Sequence, residues 1–173
     1  ISQEKVIELP SALVDNEEAY LVGLSINTKI HELFDKKENI TNELEHGLII
    51  TKSFSLVKGF KVGDQVTLEV GDSSIEIEIT GITTEYSGNK TYIDIENLST
   101  LLTGAPGYYN VIYSETDIVP DNYVVVVSTE DIVAQTQRMQ ILFDMMMLVM
   151  IIVSIAIGSI VVYILTVMTI EDN

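Results

Sequence analysis

The sequence predicts an α+β domain followed by one long helix that continues into a transmembrane helix. Three observations carry this prediction. Two neighbouring stretches, Val66–Val70 and Ile75–Ile79, alternate strictly between apolar and polar residues, as strands with one exposed face do. Apolar residues three and four positions apart, as in Ile95–Leu102, indicate helices between strands. Near the end of the chain, the run from Met145 to Ile170 contains no charged residue and no proline.

The apolar run from Met145 to Ile170 is long enough to cross a bilayer. A helix that rises ~1.5 Å per residue is about 39 Å long over this range, whereas the hydrocarbon core measures ~30 Å. A buried helix of a soluble protein is the alternative, but such helices are rarely apolar on every face over this length. We therefore predict a transmembrane helix over residues 145–170, between Asp144 and Glu171.

A stalk helix is predicted directly before the membrane helix, over residues 129–144. Thr129 is a good N-cap, and Glu130 and Asp131 place negative charge in the first turn, where the helix dipole favours it. Neither glycine nor proline interrupts the sequence before Met145, so one continuous helix is expected. This gives an extracytoplasmic α+β domain at 1–128, with one lobe or two left open, the stalk at 129–144, the membrane helix at 145–170 and the start of a cytoplasmic segment at 171–173.

The elements of the domain follow from local patterns. Gly71-Asp72 supplies the turn of a hairpin, Gly81-Ile82 bends the chain out of it, Pro10 ends the first strand, and Asp94 caps a helix. A charged loop or short solvated helix is expected at 35–45. Phe54 and Val57 are expected to point inward from a short helix. We predict strands at 5–9, 20–24, 48–50, 66–70, 75–79, 91–93, 108–113 and 123–127, and helices at 28–34, 51–57 and 95–102.

The charge balance excludes one class of partner. Acidic residues outnumber basic ones 26 to 9, which gives a formal net charge of −17, whereas nucleic-acid binding needs a basic surface. No Lys or Arg lies between Lys90 and Arg138, which favours the outer side of a bacterial membrane, although the positive-inside rule counts basic residues and not net charge. The chain has no cysteine and opens without a signal peptide, so we expect an earlier membrane helix to deliver the domain.

No motif for catalysis, a metal or a cofactor occurs in the sequence. P-loop, GxGxxG, HExxH and GxSxG patterns are absent, so we predict that the chain is not an enzyme and needs no cofactor. His31 and His46 are isolated and predicted to be ordinary surface or satisfied residues. Glu76 and Glu78 are interpreted as a solvated strand face and not as paired catalytic carboxylates. The tyrosines of 108–123 are expected to pack in a half-buried sheet, with carbohydrate stacking as the alternative.

One pair of small residues in the apolar run is a candidate packing site. Ser154 and Gly158 lie four positions apart and permit a second helix to approach closely. Such a spacing also arises by chance, so helix packing and no special role remain equal alternatives.

The run GLIITKSFSLVKGFKVGDQVTLEVGDSSIEIEITGI, residues 47–82, resembles the extracytoplasmic domain of FtsX/MacB-type ABC transporter permeases. Members carry a short helix, a KvGD turn that leads into a strand, and a later strand that ends in VxGI. The matching positions here are 61–64, Val66, Leu68 and 80–82. The order of the following strand and helix (92–102) and of the terminal membrane helix is also similar, as in large Gram-positive permeases.

The resemblance implies a MacB-like periplasmic core domain and a permease without catalysis of its own. A separate ABC ATPase subunit would hydrolyse ATP, and a second permease copy or module would complete the transporter in the lipid bilayer. Residues 1–144 would lie outside the cell membrane, and the stalk would couple the ATPase to transport or to extracytoplasmic mechanotransmission. The transported or regulated partner is left open. The alternative is the ligand-binding ectodomain of a membrane receptor or sensor kinase.

Overall fold

The structure is a computed structural model that describes residues 3–116 and 129–171, with side chains described over 3–116 and 139–169. The chain divides into two compact units, Ile1–Asp117 and Ile118–Asn173. The first contains mixed strands and short helices, and the second contains one apolar helix. The predicted α+β class with a C-terminal apolar helix is confirmed.

The first unit is built from nine described strands, two α-helices and a 3-10 helix. The strands are β1 (Gln3–Val14), β2 (Glu17–Leu24), β3 (Phe34–Asp35), β4 (Glu38–Asn39), β5 (Leu48–Thr51), β6 (Gln65–Val70), β7 (Ser73–Thr83), β8 (Lys90–Asp94) and β9 (Val111–Ser114). The helices are α1 (Lys52–Lys58) and α2 (Ile95–Thr103), and the 3-10 helix is Thr41–Glu45.

Six of these strands close into a barrel. The sheet order is β2-β8-β5-β7-β6-β1-β9, and an additional pairing of β1 with β2 closes the ring. Strand β1 closes it because its long course pairs with β2 on one side and with both β6 and β9 on the other. The pairs β2–β8 and β5–β7 are parallel and the others antiparallel, so the predicted mixed sheet is confirmed. Closure itself has no local signal and was not predicted.

The barrel interior is the main hydrophobic core. Alternation along β6 sends Val66, Leu68 and Val70 inward, as the sequence predicts. Helices α1 and α2 add Phe54 and Leu98 to the same core, so each helix covers part of the barrel. Val57, predicted to point inward, is exposed, because the seven-residue helix α1 buries only Phe54.

The β6–β7 hairpin is confirmed, with Val70 opposite Ser73 and a two-residue turn between them. The predicted bend at Gly81-Ile82 is wrong. Strand β7 continues to Thr83 and pairs in parallel with β5. Gly81 permits this because a Cβ there would lie 3.2 Å from side-chain atoms of Ile40 and Ile49.

Pro10 does not end the first strand. Strand β1 runs on to Val14, and its register with β2 shifts between Leu9 and Ala12. Proline lacks a backbone N–H, so it is tolerated where a strand's hydrogen-bond ladder is interrupted. The irregularity thus allows one strand to pass through the proline and to close the barrel.

The predicted helix at 28–34 is also wrong. Residues 25–47 form a cover segment of loop, the β3–β4 hairpin and the 3-10 helix. The Glu4 carboxylate accepts hydrogen bonds from the Thr28 hydroxyl and from the Lys29 and Ile30 amides, which holds this backbone in a non-helical path. The cover segment places Leu33 and Leu44 in a second core on the outside of the barrel, together with Val6, Val22, Leu24, Ile49 and Tyr92.

Helices α1 and α2 form where the sequence predicts them. The Asp94 carboxylate caps α2 by accepting from the Glu96 and Asn97 amides. Gly59 and Gly104 end the two helices in the left-handed conformation, with φ of 83° and 76°, which favours glycine.

The described part of the second unit is one helix, α3, from Thr129 to Glu171. It is uninterrupted over its whole length, as the sequence predicts for 129–170. The strand predicted at 123–127 lies outside the described residues, as does most of the acidic loop at 114–121. The described strand β9 pairs with β1, from Gln3 opposite Ser114 to Val6 opposite Val111.

Candidate functional site

The apolar part of α3 is the first candidate site. The segment Met139–Thr169 is long and apolar enough to cross a membrane, and every side chain in it is exposed. At ~1.5 Å per residue it is about 46 Å long, more than a ~30 Å hydrocarbon core requires. Exposure of so much continuous apolar surface is unfavourable in water. This surface is therefore suited to lipid or to other apolar helices.

The serine and threonine hydroxyl groups of this segment are satisfied within the helix itself. Ser154, Ser159, Thr166 and Thr169 each donate a hydrogen bond of 2.8 Å to the carbonyl oxygen four residues earlier. In a hydrocarbon environment an unpaired hydroxyl is costly, because there is no water to accept its proton. All four hydroxyls are thus compatible with burial in a bilayer.

The predicted packing pair, Ser154 and Gly158, lies on this exposed helix. The Ser154 hydroxyl donates to the Met150 carbonyl, and a Cβ at Gly158 would meet no atom of the described residues within 4 Å. The two positions are therefore open to an approaching helix. Packing at Ser154 and Gly158 stays a prediction.

A second candidate site is a group of tyrosines and carboxylates outside the barrel. Glu8 of β1 accepts hydrogen bonds from Tyr20 of β2, at 2.6 Å, and from Tyr113 of β9. The Asn110 side chain is bonded in both directions to the Glu8 backbone, at 2.8 Å each way. One carboxylate therefore joins three neighbouring strands.

The second half of this group surrounds His31 of the cover segment. The Tyr92 hydroxyl donates to Glu85 at 2.6 Å, and the His31 Nε2 atom lies 3.5 Å from the other oxygen of that carboxylate. Although that distance is within reach of an ion pair, Nε2 has no hydrogen-bond partner among the described residues. The His31 ring lies between Tyr92 and Tyr113, with centroids 5.6 Å and 6.1 Å away. We call Glu8, Tyr20, His31, Glu85, Tyr92 and Tyr113 the tyrosine–carboxylate cluster.

The cluster keeps its tyrosines protonated. Burial, followed by the hydrogen bond to Glu8, raises the pKa of Tyr20 to about 12. Burial also raises the pKa of Tyr92 and of Tyr113, and their bonds to Glu85 and Glu8 act in the same direction. Protonated tyrosines donate to the carboxylates throughout the neutral range. The cluster connects the strands with the cover segment. Its described hydrogen bonds and ring contacts are made to other side chains of this protein.

The other histidine and the strand carboxylates that the sequence singles out lie on the exposed surface. His46 is exposed at the end of the 3-10 helix, and Glu76 and Glu78 are exposed on β7. Tyr113 packs in the sheet, whereas Tyr108 and Tyr109 are exposed. Within residues 3–116 and the described part of α3, no three His, Asp or Glu residues are grouped as metal ligands.

The turn that carries the resemblance has a defined geometry. Lys61 donates its amide to the Asp64 carboxylate at 2.8 Å, and Gly63 adopts a φ of 93°. The Gly63 amide donates to the Ile79 carbonyl at 2.8 Å, and the Ile79 amide donates to the Asp64 carbonyl at 2.9 Å. The glycine and the aspartate at these positions therefore hold the turn against β7.

A groove of about 440 Å³ opens beside β1 and the start of α2. Its lining combines polar side chains, among them Glu4, Lys5, Asn27, Thr28 and Glu96, with a comparable amount of apolar surface. Glu4 and Thr28 are already bonded to each other, so part of this polar surface serves the fold.

The chain matches no protein-family model and no curated protein.

Sequence reasoning missed the tyrosine–carboxylate cluster. Its members come from positions as far apart as Glu8 and Tyr113, and His31 was expected to be unremarkable. The only local signal is an acidic residue at an outward-facing strand position, Glu8, between the buried Ile7 and the half-buried Leu9. The tyrosines of the neighbouring strands could have been assigned to the same cluster only if the strand order had been known.

Proposed function

We propose that this chain is the outer domain and the following membrane helix of an FtsX/MacB-type ABC transporter permease. The observation that carries the proposal is α3, one uninterrupted helix whose described residues 139–169 are exposed and overwhelmingly apolar. A continuous helix is stiff along its hydrogen-bonded axis, so displacement at one end is transmitted to the other. Such a helix is suited to link a folded unit to machinery elsewhere.

In this proposal residues 1–144 are extracytoplasmic and residues 145–170 cross the cell membrane. A separate ABC ATPase subunit hydrolyses ATP on the inner side, and a second permease copy or module completes the assembly. The outer domain, proposed as a MacB-like core, then moves with the ATPase cycle. The result is transport, or mechanical control of an extracytoplasmic partner.

Three features support the proposal. The KVGD turn is rigidly bonded to β7, as a shared structural motif would require. The serine and threonine hydroxyls of residues 139–169 are satisfied without water. The small residues Ser154 and Gly158 present an open face on which a second membrane helix would fit.

Co-purification of the full-length protein from its host membrane, followed by mass spectrometry, tests the proposal. We expect an ABC ATPase subunit in stoichiometric amount. The variant Gly158→Leu, which fills the open face, is expected to reduce recovery of a second permease copy or module, and Ile157→Leu serves as the matched control. Recovery of signalling proteins without an ATPase would contradict the proposal, and equal recovery with both variants would remove the packing role of Gly158.

The receptor alternative is favoured by one observation, the groove of about 440 Å³ beside β1, whose lining is partly polar and partly apolar. Ligand pockets are typically concave and of this size. A sensor kinase or a methyl-accepting region in the full-length protein, in place of further membrane helices, would establish this alternative.

A further inference from the structure

Large aliphatic side chains that are exposed among residues 3–116 are confined to one short stretch of the sequence. Among residues 3–116 they are Leu56, Val57 and Val62, which are 67%, 71% and 57% exposed. The other large apolar side chains exposed in this range are aromatic and lie elsewhere in the sequence, at Phe34, Tyr86, Tyr108 and Tyr109. We call residues 56–62, at the end of α1 and in the following turn, the aliphatic tip.

The aliphatic tip is held in place by the residues beneath it. The chain reverses at Gly59, and the Ser55 hydroxyl donates to the Phe60 carbonyl at 2.8 Å. The Phe60 ring packs edge-on against the buried Phe54 ring, with centroids 5.4 Å apart. The two phenylalanines thus anchor the tip. Its aliphatic side chains point outward from a fixed backbone.

Helix α1 and the aliphatic tip together, residues 52–62, are basic within a strongly acidic chain. Residues 52–62 contain Lys52, Lys58 and Lys61 and no acidic residue, whereas the whole chain has a net charge of −17. Lys58 is paired with Glu17, and neither of the other two lysines is paired with a carboxylate of the described residues. Exposed aliphatic side chains combined with lysines are the chemistry of a surface that binds anionic lipid headgroups and inserts shallowly.

We propose that the aliphatic tip docks on the surface of an anionic lipid bilayer. Leu56, Val57 and Val62 enter the boundary between headgroups and acyl chains, and Lys52 and Lys61 contact anionic headgroups. This inference rests on the proposed membrane attachment. A domain that is covalently joined to a membrane helix meets the bilayer at high effective concentration, so modest affinity is sufficient.

A second copy of the chain fits the tip less well. The aliphatic surface that another copy offers among residues 3–116 is the same tip. A tip-to-tip contact would place lysines against lysines, and like charges at an interface are unfavourable. The bilayer satisfies both the apolar and the basic parts of the tip at once.

The test uses the full chain in lipid nanodiscs with a single fluorescent label. Because the chain has no cysteine, Val62→Cys provides a unique attachment site. We expect quenching by headgroup nitroxide lipid in discs that contain phosphatidylglycerol, and several-fold less in discs of phosphatidylcholine alone. Asp72→Cys is the matched control, because it lies in the turn at the opposite end of β6, and we expect its label to stay unquenched.

The lysine contribution is tested with Lys52→Gln and Lys61→Gln in the labelled chain. Each is expected to lower the ratio of docked to undocked tip about fivefold, equivalent to about 1 kcal/mol per lysine near an anionic surface. An unquenched Val62 label in both lipids overturns the inference, as does equal quenching in both. Quenching of that label by a nitroxide on a second copy, with none from lipid, also overturns it.

A label at Ile155→Cys separates this inference from the function on which it rests. Quenching of that label by deep acyl-chain nitroxides reports that α3 lies in the bilayer. If Ile155 is quenched and Val62 is not, the inference alone is overturned. If Ile155 is not quenched, the proposed membrane function fails and the inference fails with it.

Discussion

The barrel and α3 are rich in the same types of aliphatic residue, but the barrel buries them and α3 exposes them. In the barrel, Leu21, Ile50 and Leu68 are completely buried. In α3, Ile151 and Leu165 are 55% and 59% exposed. The barrel hides its apolar surface by closing on itself, whereas a single helix cannot bury every face of its own. The first unit therefore carries its own core, whereas the described residues 139–169 of α3 leave their apolar surface uncovered.

The largest expected effect distinguishes a buried from an exposed apolar residue within α1. We expect Phe54→Ala to lower the free energy of unfolding of the first unit by about 3–5 kcal/mol, because it removes a ring from the barrel core. Val57→Ala, three residues later and exposed, should change it by less than ~0.5 kcal/mol. Denaturant titration of the chain in detergent, followed by near-UV circular dichroism of its tyrosines, measures both. Similar losses for the two variants would show that α1 does not cover the core as described.

An intermediate effect compares two glycines, one in each unit. A Cβ at Gly47 would lie 2.2 Å from the Glu78 carbonyl oxygen, so Gly47→Ala must displace β5 or β7. We expect a loss of about 1–3 kcal/mol, as for overpacked sites. Gly158→Ala meets no described atom within 4 Å and should leave unfolding of the first unit unchanged. The same denaturant titration applies, and an unaffected Gly47 variant would contradict the close approach to β7.

The smallest effect concerns the tyrosine–carboxylate cluster at alkaline pH. The pKa of Tyr20 is raised from 10.0 to about 12, so its contribution to stability is complete below pH ~10. As the pH rises through 12 this contribution is lost, because the unfolded chain releases the proton first. Tyr20→Phe should therefore reduce the decline in the free energy of unfolding between pH 10 and 12, by about 1 kcal/mol or less for a partly solvated group.

The matched control for that pH series is Tyr86→Phe, since the Tyr86 side chain is 68% exposed and Glu8 accepts its side-chain hydrogen bonds from other tyrosines. We expect it to reproduce the decline of the parent chain. A Tyr20→Phe profile that coincides with the parent over the same pH range would contradict the coupling of Tyr20 to Glu8.

Local physics made part of this fold predictable. The β6–β7 hairpin follows from a two-residue period and a glycine turn, and α2 follows from the Asp94 cap and Gly104. Long-range contacts decided the rest. The apolar residues of the helix predicted at 28–34 have helical spacing. The Lys29 and Ile30 amides, however, donate to the carboxylate of Glu4, more than twenty positions away, and the helix does not form. Closure of the barrel depends on the pairing of β1 with β6, and no local sequence pattern predicts that pairing.

The same distinction applies to the candidate sites. The exposed helix is readable from sequence, because its apolar run needs no partner to be recognised. The tyrosine–carboxylate cluster is not readable, since Tyr20, Tyr92 and Tyr113 come from three strands whose order the sequence does not give. The aliphatic tip is partly readable from sequence, because its residues are adjacent in the chain. Which apolar residues of this stretch are exposed depends on how α1 packs on the barrel, which buries Phe54 and leaves Val57 exposed.

Strand β1 has a consequence for the order in which this chain acquires its fold. It comes before the other described strands in sequence, yet its partner β6 begins at Gln65 and its partner β9 begins at Val111. Contacts of such sequence separation slow folding, because a long loop must close before they form. Until β9 pairs with it, the stretch Gln3–Val6 of β1 has an unpaired edge, which is open to misassembly. The barrel therefore closes only when the long-range contact between β1 and β6 forms, and β9 covers the remaining edge of β1 in a separate contact of still longer range.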